Sequence, residues 1–122
     1  MIGYVMVGTN DYDGAVKFYD DLFATIGGKR AMEFPNAMVW ATGTEGAMFS
    51  VCKPHDGKAA TAGNGTMVAI QVDAKDKVDA LYKKALELGG KDEGPVGARG
   101  DNFYAGYFRD LDGNKLNVFA MS

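Results

Sequence analysis

The sequence consists of two halves with the same order of elements, and this repeat constrains the fold more than any other feature. The triplet Gly-Gly-Lys stands at 27–29 and again at 89–91, 62 positions apart. In each half an apolar stretch is followed by a short acidic segment and then by an amphipathic pattern that ends at the triplet. A repeated order of this kind predicts two copies of one structural unit that pack together.

The amphipathic pattern in each half predicts a helix. Apolar residues recur at the spacing of one helix face: Val16, Tyr19, Leu22, Phe23 and Ile26 in the first half, and Val78, Leu81, Tyr82, Ala85 and Leu88 in the second. We expect Asp11 or Asp13 to cap the first helix and Asp76 to cap the second, by accepting backbone N–H bonds. Each glycine pair is expected to end its helix through a left-handed residue.

Short apolar runs with turn residues between them predict the strands. An opening strand is expected near 4–7, and its counterpart in the second half near 67–72. Three further strands follow each helix, near 30–33, 38–42 and 47–52, and near 91–93, 103–109 and 115–121. Residues 110–114, Asp-Leu-Asp-Gly-Asn, are typical of a hairpin turn. The order is therefore βαβββ twice.

This order predicts one α+β domain over residues 1–122, with a first module at about 1–53, a linker at about 54–64 and a second module at about 65–122. The net charge is −3 and no cluster of Lys or Arg stands out, so neither a nucleic acid nor a membrane is an expected partner. Cys52 is the single cysteine, which excludes an intrachain disulfide and favours a reducing compartment. Because the sequence also shows no signal-peptide pattern and no long apolar run, we expect a cytoplasmic protein.

The strands predict a mixed second face, opposite the aliphatic side chains that would lie under the helices. Side chains alternate along a strand, so Val5 and Val7 pack inward while Tyr4 and Met6 point to the other face. The candidate ligand-binding residues are Tyr4, Met6, Trp40, Met67, Gln71, Arg99, Tyr104, Asn117 and Phe119. An apolar face with a few polar groups is typical of a small-molecule cleft, and packing against a partner subunit or loops is the alternative. Trp40 fits the cleft and the core equally well.

These residues and their order resemble the vicinal oxygen chelate superfamily, which includes glyoxalase I, bleomycin-resistance proteins and extradiol dioxygenases. The most specific segment is Arg-Asp-Leu-Asp-Gly-Asn at 109–114, with Leu111 where proline is usual. The stretches 63–68 and 89–95 resemble a small single-domain, glyoxalase-like branch. The resemblance covers the whole chain, and it implies that two tandem βαβββ modules form a curved mixed-sheet cup that holds the ligand.

The resemblance also implies where a metal would be bound, and there this sequence departs from the family. Metal-dependent members place His or Glu on the cleft face of four strands. Three of these positions fall on Tyr4, Met67 and Asn117, and the fourth falls near 49–51, where no His or carboxylate stands. These are poor donors for zinc, nickel or iron, so we expect no metal and no other cofactor.

Three other features concern residues that could have a chemical role. His55, the only histidine, lies in the linker and is expected at the surface. Cys52 is a candidate nucleophile, but no base is predicted near it and a buried, inert thiol is the favoured interpretation. Residues 94–100 are rich in glycine and predict a mobile loop over the cleft, in which Arg99 either holds an anionic ligand or is simply solvated.

The sequence therefore predicts a glyoxalase-like protein that binds a small metabolite in the sheet cleft without a metal, with or without a lyase- or isomerase-type reaction. A bleomycin-resistance-type protein that sequesters its ligand is the alternative, and a metal-dependent glyoxalase or dioxygenase is less favoured. Exposed sheet edges predict a homodimer, because pairing across a two-fold axis would cover them.

Overall fold

The computed structural model describes residues 1–121, and this part of the chain contains the ten predicted elements in the predicted order. The first module comprises β1 (Tyr4–Gly8), α1 (Tyr12–Ala24), β2 (Lys29–Phe34), β3 (Ala37–Ala41) and β4 (Met48–Cys52). The second comprises β5 (Val68–Gln71), α2 (Lys75–Glu87), β6 (Lys91–Ala98), β7 (Tyr104–Arg109) and β8 (Lys115–Ala120). The α+β fold of two βαβββ modules is thus confirmed.

Each module forms its own mixed sheet, and the two sheets have equivalent topology. Sheet A has the strand order β1-β4-β3-β2, and sheet B has the order β5-β8-β7-β6. In each sheet the opening strand runs parallel to the last strand of the module, and the other pairs are antiparallel. Within residues 1–121, β1 and β5 each pair along one side only, so both are edge strands.

The core lies between the two sheets and is shared by both modules. Helix α1 packs on sheet A, α2 packs on sheet B, and the two helices touch each other. The amphipathic faces predicted from sequence are those that are buried: Tyr19 and Leu22 of α1 and Val78 and Leu81 of α2 have no exposed surface. Because one continuous cluster holds residues of both modules, each sheet presents its other face away from this core.

An aromatic cluster fills the first module's half of the core. The Tyr19 ring lies 4.6 Å from that of Phe49 and 5.7 Å from that of Trp40, centroid to centroid. Phe23 completes the cluster, with its ring 5.2 Å from Phe49. Tilted and edge-to-face rings of this kind contribute about 1 kcal/mol per pair beyond their buried area. The helix spacing of Tyr19 and Phe23 is therefore a packing requirement of α1.

The turn between β7 and β8 contacts the first module through a hydrogen bond. Asp110 is buried, and its Oδ1 accepts hydrogen bonds from the backbone N–H groups of Asp112 and Asn114, at 3.0 and 2.9 Å. Asn114 Nδ2 donates to the carbonyl oxygen of Gly8 at the end of β1, at 2.9 Å. The motif with the most specific family resemblance thus has a structural role here, because it ties the second module to the first.

The helix ends agree with the sequence with one exception. The Asp11 side chain accepts from the Gly14 N–H and caps α1, and Gly27 and Gly89 have φ angles of +76° and +102° just beyond the helices. The prediction for Asp76 is wrong: Ala74 is the N-cap of α2 and makes no side-chain cap bond. Since the helix begins two residues earlier than a cap at Asp76 would give, Asp76 lies in its first turn, where its negative charge interacts favourably with the helix dipole.

The glycine-rich segment is mostly a strand, which corrects the prediction of a mobile loop over 94–100. Strand β6 continues to Ala98, and two register shifts against β7 fall at Gly94 and Gly97. Such bulges allow an edge strand to continue through a sequence that would break a regular one, and an edge strand also tolerates Pro95. No helix in the described part of the chain is long and apolar enough to span a bilayer.

Candidate functional site

Each sheet has an outward face, formed by the side chains that point away from the helices. Residues directly opposite each other on paired strands share a face, so the strand pairing shows which residues belong to each outward face. The outward face of sheet A includes Tyr4, Met6, Met32, Phe34, Val39, Met48 and Ser50. The outward face of sheet B includes Ala69, Gln71, Ala105, Tyr107, Arg109, Lys115, Asn117 and Phe119.

The outward face of sheet A is apolar and open. Tyr4 is 57% exposed, Phe34 51%, Met6 48% and Met32 41%. Scattered exposed apolar residues are ordinary, but four large ones on one face of one sheet form a patch typical of a binding surface. The smaller Val39 lies at the floor of this face and is buried between its larger neighbours.

Each outward face contains one buried polar side chain that has no hydrogen-bond partner. Ser50 on β4 has no exposed surface and its Oγ is unpaired, while Asn117 on β8 is 2% exposed and its Oδ1 is unpaired. A buried polar atom left without a partner costs about 1–3 kcal/mol, so such atoms are rare except where a ligand or water completes them.

Ser50 and Asn117 occupy equivalent positions in the two modules. Ser50 stands opposite Met6 of β1 in the parallel pair, and Asn117 stands opposite Ala69 of β5 in the corresponding pair. Both therefore lie at the centre of an outward face, on the strand next to the open edge. The repeat that shapes the fold also places one unsatisfied polar group in each half.

The outward face of sheet B differs from that of sheet A because it carries charge and aromatic rings. The Tyr107 ring has the Arg99 guanidinium at 5.5 Å and the Lys115 ammonium at 5.8 Å from its centroid. Arg109 is paired with Glu93, with 2.9 Å between Nε and Oε1. This face therefore offers positive charge and hydrogen-bonding groups beside Asn117.

Apart from the outward faces, the chain has an inter-module cleft of about 590 Å³ between the edges of β1 and β5. Its walls include Val5 and Phe23 of the first module and Val68 and Ile70 of the second. The volume is that of an ordinary ligand pocket. Trp40, Met67 and Gln71, three of the predicted binding residues, border this cleft.

The structure places the predicted binding residues in different environments. Tyr4, Met6, Asn117 and Phe119 lie on the outward faces, as the alternation predicts. Arg99 follows β6 and packs on the ring of Tyr107 at the outward face of sheet B. These placements show which residues share a face, and their role in binding stays a prediction.

Trp40 and Tyr104 point toward the helices and so do not lie on an outward face. Trp40 is 2% exposed, and its Nε1–H donates to Asp20 Oδ1 of α1 at 2.9 Å. The Tyr104 hydroxyl donates to Asp79 Oδ1 of α2 at 2.7 Å, and this hydrogen bond raises the pKa of the tyrosine. Both side chains therefore serve helix-to-sheet contacts.

The binding candidates chosen from the sequence omit several residues of the outward faces: Met32, Phe34, Ser50, Tyr107 and Lys115. The signal for Tyr107 and Lys115 was the alternation of β7 and β8, which places them on the face of Asn117. No such signal existed for Met32, because a register shift between Arg30 and Met32 interrupts the alternation of β2. The outward face of sheet A is consequently more apolar than the sequence indicates.

Cys52, the remaining candidate nucleophile, lies at the end of the outward face of sheet A, opposite Gly8 and Ala37, and the lone histidine lies apart from both faces. Cys52 ends β4 and is half-buried, and burial raises the pKa of its thiol, which makes it a weaker nucleophile. His55 is exposed in the segment between β4 and β5.

The donor atoms at the family's metal positions do not fit a zinc, nickel or iron site. They are the phenol of Tyr4, the thioether of Met67, the amide of Asn117 and, within 49–51, the hydroxyl of Ser50. These metals are bound by imidazole, carboxylate or thiolate. Across residues 1–121, no three His, Cys, Asp or Glu side chains come together in one place.

Comparison with known proteins agrees with the fold. The sequence model described as the Glyoxalase/Bleomycin resistance protein/Dioxygenase superfamily matches residues 1–118. The chain belongs to this superfamily. A crystal structure of a glyoxalase/bleomycin resistance protein from Albidiferax ferrireducens T118 has 31% identity and a TM-score of 0.92, covering 100% of this chain and 99% of that one.

Other solved structures share the fold at lower identity. A glyoxalase/bleomycin resistance protein/dioxygenase family enzyme from Burkholderia phytofirmans PsJN is 19% identical with a TM-score of 0.79, covering 98% of both chains. A lactoylglutathione lyase from Agrobacterium tumefaciens is 21% identical with a TM-score of 0.71, covering 98% of this chain and 92% of that one. Among curated proteins, no sequence matches this chain.

Proposed function

We propose that this protein binds a small organic molecule, without a metal ion, in a cup formed by sheet A of one copy and sheet B of a second. The observation that carries the proposal is the pair of unpartnered polar atoms, Ser50 Oγ and Asn117 Oδ1, each buried at the centre of an outward face. A mostly apolar surface with a few placed polar groups is the usual composition of a small-molecule site.

The need for a second copy follows from how the modules pack. The shared core and both helices lie between the sheets, so the two outward faces of one chain point away from each other. A two-fold dimer would bring β1 of one copy beside β5 of the other, and this would cover both open edges. The accessible surface supports this arrangement: it is 7084 Å² for a chain of 13.0 kDa, about a tenth more than the roughly 6,300 Å² of a compact monomer.

The absence of a metal from the proposal rests on donor chemistry. A phenol, a thioether, an amide and a hydroxyl are suited to contacting an organic ligand and poorly suited to binding a transition metal. Turnover of the ligand by a lyase- or isomerase-type reaction remains an expectation from the family alone.

Sequestration without turnover is the second candidate, and the composition of the outward faces favours it. The paired strand residues of the two outward faces include no histidine and no carboxylate, and the nearby Glu93 forms an ion pair with Arg109. These faces therefore lack an unpaired His, Asp or Glu, the side chains most often used as general bases. We also expect a cytoplasmic location, which keeps Cys52 reduced.

The test is a ligand-observed NMR screen of a small-molecule fragment set against untagged protein, with and without EDTA. We expect fragments that bind equally in both conditions, and about tenfold weaker binding to Asn117→Leu, because a ligand donor loses its acceptor. Lys83→Gln, an exposed helix substitution, is the matched control. New resonances from bound fragments would show turnover, and their absence would favour sequestration.

Two results would contradict the proposal. One is binding that appears only after nickel, zinc, manganese or iron is added. The other is binding that is unchanged by both Ser50→Ala and Asn117→Leu, because the ligand would then lie elsewhere.

A further inference from the structure

We propose that the outward face of sheet B recognises the anionic end of its ligand, through Arg99 and Lys115 on the ring of Tyr107. The inference rests on the proposed function and names the chemical class of the ligand: a small organic acid that also carries an O–H or N–H donor. Four observations support it.

The first observation is that Arg99 is held in place. Its guanidinium donates to the backbone carbonyl oxygens of Pro95, at 2.6 Å, and Gly97, at 3.0 Å, and it lies over the Tyr107 ring. An arginine fixed by backbone and aromatic contacts loses little side-chain entropy when a ligand binds, so it is preorganised for an anion.

The second observation explains the glycine-rich sequence of β6. A Cβ atom at Gly97 would lie 3.2 Å from Arg99 Nη1, and one at Gly94 would lie 3.2 Å from Tyr107 Cδ1. The two glycines thus leave the space in which the guanidinium and the ring meet. The glycine-rich segment, which resembles a loop in sequence, therefore holds the Arg99 side chain in position.

The third observation is the charge balance. Among residues 1–121 neither Arg99 nor Lys115 forms an ion pair, whereas the neighbouring Arg109 is neutralised by Glu93. The outward face of sheet A, which the proposed dimer places opposite, carries no acidic side chain. Two uncompensated cations on one face of a chain with net charge −3 favour an anionic ligand group.

The fourth observation is that Asn117 presents a hydrogen-bond acceptor on the same face as the two cations. It stands directly opposite Tyr107, and Lys115 lies two residues before it on the same face, about 7 Å along the strand. The unpaired Asn117 Oδ1 is an acceptor, so a donor group of the ligand would complete it. A hydroxy acid or an amino acid whose donor lies across a ring or a short chain from its carboxylate would supply both groups at this separation.

The experiment compares four probes on the intact protein by ligand-observed NMR titration: 4-hydroxybenzoate, benzoate, the neutral 4-hydroxybenzamide, and phenyl phosphate. In 4-hydroxybenzoate the ring separates the hydroxyl from the carboxylate. We expect 4-hydroxybenzoate to bind about tenfold more tightly than 4-hydroxybenzamide, as hydrogen bonds to a charged group predict. Benzoate against phenyl phosphate distinguishes a carboxylate from a phosphate as the preferred anion.

Variants connect the preference to the residues. Arg99→Gln and Lys115→Gln are each expected to weaken the binding of 4-hydroxybenzoate about fivefold to tenfold and to leave that of 4-hydroxybenzamide unchanged, with Lys83→Gln as the control. Asn117→Leu is expected to abolish the preference for 4-hydroxybenzoate over benzoate. A melting temperature for each variant separates loss of contact from loss of fold.

The outcomes distinguish this inference from the proposed function. If the neutral amide binds as tightly as the acid, or if both Gln variants bind the acid like the unmodified chain, the anion inference is wrong while small-molecule binding stands. If none of the four probes binds and the wider fragment set also fails, the proposed function is wrong and the inference fails with it.

Discussion

The hydroxyl of Tyr19 donates a 2.5 Å hydrogen bond to Asp110 Oδ2, and this contact joins α1 of the first module to the β7–β8 turn of the second across 91 residues of sequence. Asn114 Nδ2 donates to the same oxygen at 2.9 Å. Both Tyr19 and Asp110 are buried, so the bond lies in the shared core. The bond therefore couples the stability of the two modules.

Tyr19→Phe is expected to lower the free energy of unfolding by about 1–2 kcal/mol, because Asp110 loses one buried donor and keeps its others. Urea unfolding followed by circular dichroism measures this. Tyr104→Phe is the matched control: it removes the hydroxyl that donates to Asp79 at the surface, and we expect a change below about 0.5 kcal/mol. Equal effects of the two variants would contradict a special role for the Tyr19 bond.

The same pair predicts a loss of stability at alkaline pH. Burial, together with the charge of Asp110, raises the pKa of Tyr19 well above its ordinary value of 10.0. A pKa that is raised in the folded state contributes stability that is fully present below the unfolded-state value of 10.0. This contribution is lost as the pH rises from there through the folded-state pKa. The unmodified chain should therefore lose stability above pH 10 more steeply than Tyr19→Phe. Parallel curves for the two proteins would argue against this.

Asp20 predicts a transition at acidic pH with its own optical signal. The hydrogen bond from Arg30 holds the pKa of Asp20 below the ordinary 3.8 against the opposing effect of burial, and the bond from Trp40 lowers it further. A depressed pKa contributes stability that is present above 3.8 and lost as the pH falls through the folded-state value. Trp40 is the only tryptophan, so its fluorescence reports this site.

We expect a fluorescence change centred below pH 3.8, before or together with unfolding, and its absence in Asp20→Asn. Lys77→Gln, which removes the exposed ion pair to Asp73 in the second module, is the control and should leave the transition in place. A midpoint at or above 3.8 in the unmodified chain would show that Arg30 and Trp40 do not favour the charged carboxylate.

Gly90 is expected to tolerate no side chain. A Cβ atom there would lie 2.7 Å from the carbonyl oxygens of both Ala85 and Arg109, which are backbone atoms that cannot move independently. Gly90→Ala should therefore lower the free energy of unfolding by about 1–3 kcal/mol, the range of an overpacked core site. Gly43→Ala is the control, since nothing lies within 4 Å of its Cβ position. Thermal unfolding of the two variants should differ clearly, and equal melting temperatures would refute the steric argument.

The sequence predicted the fold well because its strongest signals are local. The face of α1 that contains Tyr19 and Leu22 and the glycines that end the helices follow from spacing and backbone conformation, which need no knowledge of distant residues. The hairpin turn at 110–114 was also predicted. Its contact with Tyr19 was not, because nothing in the sequence pairs two residues 91 positions apart.

The candidate site was predicted less completely, for two physical reasons. Alternation assigns faces only while a strand is regular, so the shift after Arg30 concealed Met32, and the shifts at Gly94 and Gly97 made β6 resemble a loop. Burial is the second reason: the importance of Ser50 depends on an oxygen left without a partner, which becomes visible only when its neighbours are placed.

The central claim is that two copies share the site, and the mass of the protein in solution tests it most directly. Sedimentation equilibrium of the untagged chain at micromolar concentration should give about twice 13.0 kDa. Met6→Glu, which places a charge on the outward face of sheet A, should give a folded species of 13.0 kDa, and Lys83→Glu on the exposed side of α2 should leave the dimer intact. A monomer at every concentration, or a dimer unaffected by Met6→Glu, would contradict the account.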